Sequence, residues 1–505
     1  MRVYSTLSRQ KEDFIAGDPV RMYVCGVTPY DDCHLGHALS YSTFDVIKRY
    51  LEFRGFKVKH VQNFTDVDDK IIDRARIRGV SIGELSSRHI ESYFADMDAL
   101  NIRRADVYPR ATDEIPKMIE VISGLISKGY AYPAGGSVYF RVSRFPGYGK
   151  LSGRDLSQTE TTGAHEPGKE SHWDFALWKA SKPDEPFWDS PWGKGRPGWH
   201  IECTAMSLRH LGTTLDIHGG GRDLIFPHHE NEIAQSESYT GISPFARYWL
   251  HNGMVQVGEE KMSKSLGNLV TVKQLLERYH PDAIRFLVAS SQYRNPLTYS
   301  EAGLEAAEKG VERLRAAATR ATDSGGASLD AVPFRQRFIE AMDDDFNSPQ
   351  AVAVLFDLAR EINRAAEDGG NVTMAQSALK ELAGVLGITL ARPVEAVSMD
   401  MAALVGIAEK AAEQLAALGQ DKLAAEARSY VASLKFGGQD SNHGEIADRL
   451  VELRRQMRTA KQWKLADTIR SGLAEVGISL EDTPQGTVWK YVKPSQPGGS
   501  ALPLP

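Results

Sequence analysis

The pattern of apolar residues near the N-terminus predicts a strand, a turn, a helix and a second strand. Residues 21–26 form a short apolar run that ends at a Thr-Pro-Tyr turn. Apolar residues then recur at helical spacing over 44–51, and the run at 58–63 predicts another strand. Thr65 and Asp66 follow this strand and are expected to cap the next helix. Strand, loop, helix and strand in this order are typical of a Rossmann-like doubly wound parallel sheet, an α/β fold.

The residue composition changes several times farther along the chain. Residues 130–195 are rich in Gly, Pro, Ser, Thr and Trp and predict an insertion, after which the strand pattern resumes at 215–218 before a triple glycine. Ala-rich helical segments follow, and the Pro- and Gly-containing tail is expected to be disordered. We therefore expect segments with the bounds 1–129, 130–195, 196–250, 251–321, 333–395, 396–440, 441–493 and 494–505.

Composition narrows the class of protein. The chain has 505 residues, too many for one core, with 42% hydrophobic and 25% charged residues. It contains no run of eighteen apolar residues, and its first residues lack the apolar stretch of a signal peptide. Three cysteines are too few for a disulfide framework. We expect a cytoplasmic protein that does not enter a membrane. Because the net charge is −6, nucleic acid would need local basic faces.

Two short motifs more than two hundred residues apart indicate ATP chemistry. The first is HLGH, with His34, Gly36 and His37; the second is KMSKS, with Lys261 and Lys264. Glycine at a strand-to-helix turn lets backbone approach phosphate, and imidazole N–H groups attract anionic oxygens. Two lysines in a Ser/Gly loop can follow the charge that develops on leaving pyrophosphate. By chance HxGH arises in roughly a few per cent of such chains, and KMSKS in about one in a thousand. Together they resemble the signature of class I aminoacyl-tRNA synthetases.

A metal site is a second hypothesis. Cys25 precedes the HLGH loop, Cys203 lies in a Trp-His-Ile-Glu-Cys segment, and His228 and Glu232 are four residues apart. On a helix the last two share one face, as in helices that present two metal ligands. Two thiolates, an imidazole and a carboxylate suit Zn²⁺. The spacing alone leaves purely structural cysteines as the alternative, because no C-x-x-C loop supports a metal.

Longer segments resemble one family, the cysteinyl-tRNA synthetases. They span residues 23–489 and read YVCGVTPYDDCHLGH, NFTDVDDKI, GRPGWHIECTAM, DIHGGGRDLIFPHHENEIAQS, EEKMSKSLGN, AMDDDFNSP and LEDTPQGTVW. The resemblance implies one zinc per chain on Cys25, Cys203, His228 and Glu232, with the thiolate of substrate cysteine on the same metal. It implies activation of cysteine by Mg-ATP, transfer to tRNA(Cys), and a connective insertion followed by helical C-terminal tRNA-binding domains.

The same resemblance suggests further site residues. Thr65 and Trp199 would line the cysteine pocket, and Asp223 would approach the adenosine. Their structural alternatives are a helix cap and a core aromatic. Three carboxylates after the second strand, at Asp66, Asp68 and Asp69, favour a helix N-terminus rather than Mg²⁺. Cys33 has no assigned role.

The C-terminal region separates the possible functions. Pro29 departs from the β-branched residue usual in the family and also occurs in an ATP-dependent cysteine ligase acting on an amino-sugar, which lacks the C-terminal region. Here residues 451–470 carry a local charge of +4. Helical spacing predicts a basic face with Arg454, Arg458 and Lys461, and the family module adds Trp489 as a tRNA contact. We therefore expect a monomeric tRNA ligase; the amino-sugar ligase and a non-catalytic RNA-binding relative are the alternatives.

Overall fold

The first of two units, Met1–Ala391, alternates strands and helices around a central sheet, as seen in a computed structural model. Its strands are β1 (Arg2–Ser5), β2 (Gln10–Asp13), β3 (Val20–Val27), β4 (Val58–Phe64), β5 (Ala131–Ala134), β6 (Ser137–Phe140), β7 (Phe175–Ala180), β8 (Gly195–Pro197), β9 (Leu215–Gly221), β10 (Ala246–Asn252), β11 (Val255–Val257), β12 (Glu260–Lys261) and β13 (Leu297–Tyr299). Its helices are α1 (Leu35–Phe53), α2 (Asp69–Arg78), α3 (Ile82–Ala99), α4 (Ile115–Ser127), α5 (Trp199–Leu211), α6 (Glu230–Thr240), α7 (Val272–Leu276), α8 (Pro281–Ala289), α9 (Glu301–Ala318), α10 (Val332–Asp343), α11 (Ser348–Glu367) and α12 (Thr373–Val385).

The structure describes most but not all of the chain. The described residues are 1–155, 168–258, 260–262, 269–321, 326–391, 401–417, 419–420, 424–425, 428, 443–459, 462–476, 478–483 and 486–491. The tail predicted to be disordered lies outside them. None of the described helices has the length and apolar content needed to cross a membrane.

The central sheet is parallel, as the sequence predicts, with the strand order β10-β9-β3-β4. The chain runs from β3 outward to β4 and returns to β9 on the other side of β3. In such sheets the crevice at the carboxyl ends of the strands, where the order reverses, is the usual ligand site. Here that crevice lies between β3 and β9. The triple glycine predicted to follow a strand instead completes β9.

The two faces of β3 belong to different cores. Met22 and Val24 join the core formed with α1 and the later helices, whereas Tyr23 and Cys25 join the core formed with α4, α5 and α6. This alternation follows from the two-residue period of a strand. It covers the sheet with helices on both faces, which is the doubly wound arrangement.

One predicted cap is wrong. Helix α2 begins at Asp69, and Asp68 is its N-cap, with its carboxylate accepting the backbone N–H of Lys70 at 2.8 Å. Thr65 and Asp66 lie upstream of the cap and bond to other parts of the chain. Three candidates for a cap follow β4 within four residues, so propensity could not choose between them.

Between α4 and α5 the chain forms a separate antiparallel sheet with the order β5-β6-β7-β8. After the central sheet, β11 pairs with β12 and β13. Helices α8 to α12 then pack on the same core as α1.

The second unit, Arg392–Pro505, has its own core. It contains α13 (Met401–Ala417), α14 (His443–Thr459), α15 (Trp463–Glu475) and an antiparallel hairpin of β14 (Ile478–Thr483) and β15 (Gly486–Tyr491). Helix α13 falls within the stretch 395–440 predicted to be Ala-rich helix. Leu453 on α14, Ile469 and Leu473 on α15, and Ile478 on β14 are fully buried in this core.

Candidate active site

The face of β3 that carries Cys25 determines the site. Helices α5 and α6 cover this face, and Ile201 and Ile233 pack into its core. Cys203 follows Ile201 on α5, and Glu232 precedes Ile233 on α6. Covering one face of the strand with two helices therefore brings side chains that are far apart in sequence to one point.

The structure brings the four predicted metal ligands together. Cys25 Sγ lies 3.8 Å from Cys203 Sγ and 3.7 Å from Glu232 Oε1. His228 Nε2 lies 3.1 Å from Glu232 Oε1, consistent with the four-residue helical spacing. All four donor atoms lie within 4.8 Å of one another, and the most exposed of the four residues, Cys25, is 6% exposed.

Charge in this cluster favours a bound cation. The hydrogen bond from the Cys25 thiol lowers the pKa of Cys203 to about 6. Burial opposes ionisation of Glu232, but the imidazoles of His218 and His228 lower its pKa to about 2. Burial likewise opposes a charged His228, yet Glu232 and Cys203 raise its pKa to about 10. At neutral pH the cluster therefore carries a thiolate and a carboxylate against one imidazolium, and this excess negative charge favours a cation that takes the place of the His228 proton.

Histidines that sequence reasoning missed surround the cluster. His218 Nε2 lies 2.9 Å from Glu232 Oε2, and His200 Nδ1 lies 3.0 Å from His228 Nδ1. His229 Nδ1 lies 2.8 Å from His251 Nε2. Outer partners of this kind orient metal ligands and fix their tautomers. The available signal was the His228-His229 doublet and a histidine within the predicted strand at 215–218.

The structure contains a second, overlapping set of possible ligands. Cys25, His218, His229 and Glu232 also have donor atoms within 4.8 Å of one another. This set would leave the ionised Cys203 beside the metal but not bound to it. The first set instead uses both thiols and leaves His218 free to bond the second oxygen of Glu232.

The HLGH turn follows β3 and begins α1. His34 Nδ1 accepts the backbone N–H of Gly36 at 3.1 Å, and His37 Nδ1 accepts the backbone N–H of His34 at 3.2 Å. A ring nitrogen that accepts an N–H carries no hydrogen, so each neutral ring carries its hydrogen on Nε2. Burial, together with His34, lowers the pKa of His37 well below its usual value. Each ring thus offers its Nε2–H as a donor, and the two rings stack 3.9 Å apart.

Glycine is required at the third motif position. A Cβ on Gly36 would lie 2.9 Å from the His34 ring. The close approach of backbone and imidazole in this turn therefore excludes a side chain.

The KMSKS segment is anchored to the HLGH turn. Lys261 belongs to β12, although its side chain lies outside the described part of the chain, and Lys264 falls entirely outside it. After the segment, the Val270 carbonyl accepts the Leu35 N–H at 2.9 Å, and the Cys33 carbonyl accepts the Val272 N–H at 2.9 Å. These bonds hold the end of the KMSKS loop against the start of α1.

The predicted cysteine-pocket residues lie beside the metal cluster. Trp199, at the start of α5, stacks on His228 with ring centroids 4.3 Å apart and is 40% exposed. Thr65, directly after β4, is buried and donates its hydroxyl hydrogen to Glu202 on α5 at 2.8 Å. Asp223 lies exposed in a short turn directly after β9.

The other carboxylates and the third cysteine have protein surroundings. Asp66 accepts the Thr112 hydroxyl at 2.7 Å, and Asp69 forms ion pairs with Lys179 and Arg196. Burial raises the pKa of Cys33 above its usual value, so this residue is a buried neutral thiol.

The predicted basic face of the second unit is only partly present. Arg454 is 2% exposed and donates to the Thr487 hydroxyl at 3.2 Å, so it is not the exposed cation that helical spacing predicted. Arg458 is half-buried, and Lys461 lies outside the described residues. Trp489 packs against the core of the second unit.

Comparisons with known proteins identify the family of this chain. A family model described as tRNA synthetases class I (C) catalytic domain matches residues 12–309, and a DALR domain model matches residues 337–391. A cysteine–tRNA ligase of Dehalococcoides mccartyi is 52% identical over 496 residues, covering 97% of this chain and 99% of that protein. One from Geobacter sulfurreducens is 46% identical over 513 residues, covering 97% and 99%.

A solved structure supports the fold. Mycobacterium tuberculosis methionyl-tRNA synthetase in complex with methionyl-adenylate matches with a TM-score of 0.53 at 16% identity, covering 77% of this chain and 94% of that one.

Proposed function

This chain belongs to the cysteine–tRNA ligase family of class I aminoacyl-tRNA synthetases, and we propose that zinc on Cys25, Cys203, His228 and Glu232 selects its amino acid. The enzyme joins cysteine to tRNA with ATP. The amino-sugar ligase and the non-catalytic relative are not favoured, because cysteine–tRNA ligases match 97% of the chain, including its second unit.

The buried donor set is the observation that carries the zinc proposal. Two thiols, an imidazole and a carboxylate with donor atoms within 4.8 Å of one another match the ligand types that bind Zn²⁺ in proteins. When bound there, zinc would offer a soft Lewis-acid position for the substrate thiolate, which the hydroxyl of serine occupies less well. Selection of the thiolate by zinc matters because the binding free energies of near-isosteric amino acids in an apolar pocket differ by only about 1–3 kcal/mol.

Activation of the amino acid needs no nucleophile from the protein. A carboxylate oxygen of cysteine attacks the α-phosphorus of Mg-ATP, and the bond to the bridging oxygen of pyrophosphate breaks. In this proposal the Nε2–H groups of His34 and His37, in the turn that follows β3, would donate to the phosphate oxygens. Because Nδ1 of each ring accepts a backbone N–H, the hydrogen lies on Nε2 and is available to the phosphate.

The KMSKS lysines complete this step in the proposal. Lys261 and Lys264 would follow the negative charge onto the leaving pyrophosphate. The support is the backbone pairing of residues 270 and 272 with the HLGH turn, which keeps the base of the loop beside the same crevice. A ribose hydroxyl at the 3′ end of tRNA then attacks the acyl carbon, and AMP leaves.

Binding of tRNA is assigned to the helical regions beyond the catalytic core. The DALR domain match at 337–391 and the basic residues of α14 support this assignment. A cytoplasmic location is part of the same proposal and is supported by the three free, buried cysteines.

The test uses full-length protein and two assays. Cysteine should drive exchange of labelled pyrophosphate into ATP, serine should not, and tRNA should become charged with cysteine. Removal of zinc with a chelator should abolish the cysteine-dependent exchange, and added zinc should restore it. Equal exchange with serine, or full activity in metal-free protein, would contradict the zinc proposal.

A further inference from the structure

The AMDDDFNSP segment lies at the turn between α10 and α11, away from the metal cluster. Its three carboxylates contact three different parts of the first unit. Asp343 accepts the hydroxyl hydrogen of Tyr50 on α1 at 2.6 Å, and Asp344 forms an ion pair with Lys11 on β2 at 2.7 Å. Asp345 is fully buried, at 0% exposed. The turn therefore joins the later helices to the sheet and to the helix that begins at HLGH.

The carboxylate of Asp345 accepts four hydrogen bonds. Its Oδ1 accepts the Tyr4 backbone N–H at 2.9 Å and the Tyr293 hydroxyl hydrogen at 3.0 Å. Its Oδ2 accepts the Arg294 Nε–H at 2.8 Å and a side-chain N–H of Gln292 at 3.2 Å. Three of the four donors are consecutive in sequence. Asp345 thus fixes one short segment of the chain after α8.

The backbone at this turn is strained. Asp345 has a φ of 62° and Phe346 a φ of 50°, in the left-handed region that residues other than glycine rarely adopt. The Asp345 N–H also donates to the Arg2 carbonyl at 2.8 Å, so Asp345 is held through both its backbone and its side chain. Strained residues persist only where their surroundings over-determine them, and they cluster at functional sites.

The segment bound by this carboxylate supports the KMSKS hairpin, which β11 and β12 form. The Tyr293 carbonyl accepts the Gly253 N–H at 2.8 Å, and the Met254 carbonyl accepts the Leu297 N–H at 2.9 Å. Strand β13 then pairs with β11, and β11 pairs with β12, which ends at Lys261. Because the strand order is β12-β11-β13, β13 supports the hairpin on the side away from β12.

The contact between the segment and the hairpin is a close one. A Cβ on Gly253 would lie 1.9 Å from the carbonyl oxygen of Asn295, so the two backbones touch without a side chain between them. Close packing of this kind transmits a displacement of one chain to the other. The chemistry is sensitive to such a displacement, because a misplacement of about 1 Å can slow an enzymatic step about 100-fold.

Building on the proposed function, we propose that Asp345 is a positioning residue for the KMSKS lysines during adenylate formation. It fixes residues 292–294, which hold β13 and β11, and the hairpin of β11 and β12 carries Lys261. Asp345 lies within residues 337–391, the region that the DALR domain model matches. The helices assigned to tRNA binding therefore also hold the base of the loop that acts on pyrophosphate.

Asp345→Asn tests this role at nearly constant volume, because the amide keeps one acceptor oxygen and replaces the other with N–H donors. In rapid-quench assays of full-length, zinc-loaded protein, the rate of adenylate formation should fall by about 10- to 100-fold. The Kd of cysteine, measured by isothermal titration calorimetry, should stay unchanged. Asp344→Asn is the matched control, because it alters the neighbouring carboxylate, which pairs with Lys11. It should leave both quantities unchanged.

A double-mutant cycle separates positioning from a purely structural role. A variant with Lys261→Ala and Lys264→Ala should itself slow adenylate formation by about 10²–10³-fold. Adding Asp345→Asn to that variant should slow the reaction by less than about threefold, because the lysines through which Asp345 acts are already absent. If Asp345 were only structural, the two losses would multiply.

Tyr293→Phe provides a second route if Asp345→Asn does not fold. It removes one hydroxyl that bonds to Asp345 and leaves the ring in the core. It should slow adenylate formation in the wild-type background and have little effect in the variant without the two lysines.

The outcomes separate this inference from the proposed function. A wild-type rate in folded Asp345→Asn and Tyr293→Phe, an equal loss of cysteine affinity, or losses that multiply in the cycle would overturn the role of Asp345 alone. If removal of both lysines left adenylate formation at the wild-type rate, the proposed role of the KMSKS lysines would be wrong and this inference with it.

Discussion

A buried charge cluster behind the HLGH helix allows a quantitative prediction of stability. Asp45 Oδ2 on α1 accepts the Arg49 Nε–H at 2.8 Å and forms an ion pair with Arg285, whose Nη2 lies 2.7 Å away. Its other oxygen accepts the Arg103 N–H at 3.1 Å. The side chains of Asp45, Arg49 and Arg285 are 1%, 7% and 1% exposed. One carboxylate is thus shared by two buried guanidinium groups, one from α1 and one from α8.

Asp45→Asn keeps the volume and one acceptor but removes the charge. Loss of one partner from a buried ion pair costs about 3–5 kcal/mol, and the retained oxygen favours the lower end. At about 2.1 cal/mol/K of unfolding entropy per residue, the unit Met1–Ala391 has roughly 0.8 kcal/mol/K. A loss of about 3 kcal/mol should therefore lower the Tm of this unit by about 4 °C.

Differential scanning calorimetry of the full-length protein measures this shift. The matched control is Asp344→Asn, which removes an exposed ion pair with Lys11. The side chain of Asp344 is 55% exposed and that of Lys11 is 33% exposed. Exposed pairs contribute about 0–1 kcal/mol, so the control should shift the Tm by about 1 °C or less. If Asp45→Asn lowers the Tm no more than Asp344→Asn, the cluster does not stabilise the fold as argued.

The remaining predictions concern zinc content, adenylate formation and its pH dependence, and the binding and charging of tRNA. Cys203→Ser should reduce bound zinc from about one per chain, measured by atomic absorption, whereas Cys33→Ser should retain it because Cys33 lies outside the cluster; equal zinc loss in both would contradict the ligand assignment. His37→Asn keeps an acceptor for the His34 N–H but lacks the Nε2–H donor, and should slow adenylate formation by about 10²–10³-fold in rapid-quench assays. Because the pKa of His37 is lowered, the wild-type ring stays neutral as the pH falls through 6.5, so the pH–rate profile should show no loss from this group; an inflection near pH 6.5 that disappears in His37→Asn would refute the neutral-donor argument. A fragment ending at Ala391 should keep cysteine-dependent pyrophosphate exchange and lose most tRNA charging, and Arg458→Glu should weaken tRNA binding and flatten its salt dependence in filter-binding assays; full charging by the fragment would remove the second unit from the tRNA assignment.

Local patterns predicted the parts of the site that depend on short-range order. Strands β3 and β4 extend the predicted bounds by only one residue at an end, and β3 has the nearly continuous apolar run of a buried parallel strand. The four-residue spacing of His228 and Glu232 placed both on one helical face, because helix geometry alone determines that relation. The HLGH turn was likewise recognisable from residue types that a phosphate site needs.

Side-chain partners beyond this range could not be predicted. Thr65 was expected to cap a helix, yet its hydroxyl bonds to Glu202, 137 residues away in sequence. Arg454 was expected on an exposed face, yet the hairpin of β14 and β15 places Thr487 within hydrogen-bond distance of it. Propensity and helical periodicity describe a segment by itself and contain no information on what packs against it.

The sequence by itself determined the opening order of strand, helix and strand, the nucleotide motifs and the types of the predicted metal ligands. Only the tertiary structure decided that Cys25 lies on the face of β3 covered by α5 and α6, since the two-residue period makes neighbours alternate without saying which face meets which helix. The same packing surrounded Glu232 with His218 and His228 and left Glu202 beside Thr65. These charges are sensitive to burial and distance, and both are properties of the packed sheet and helices.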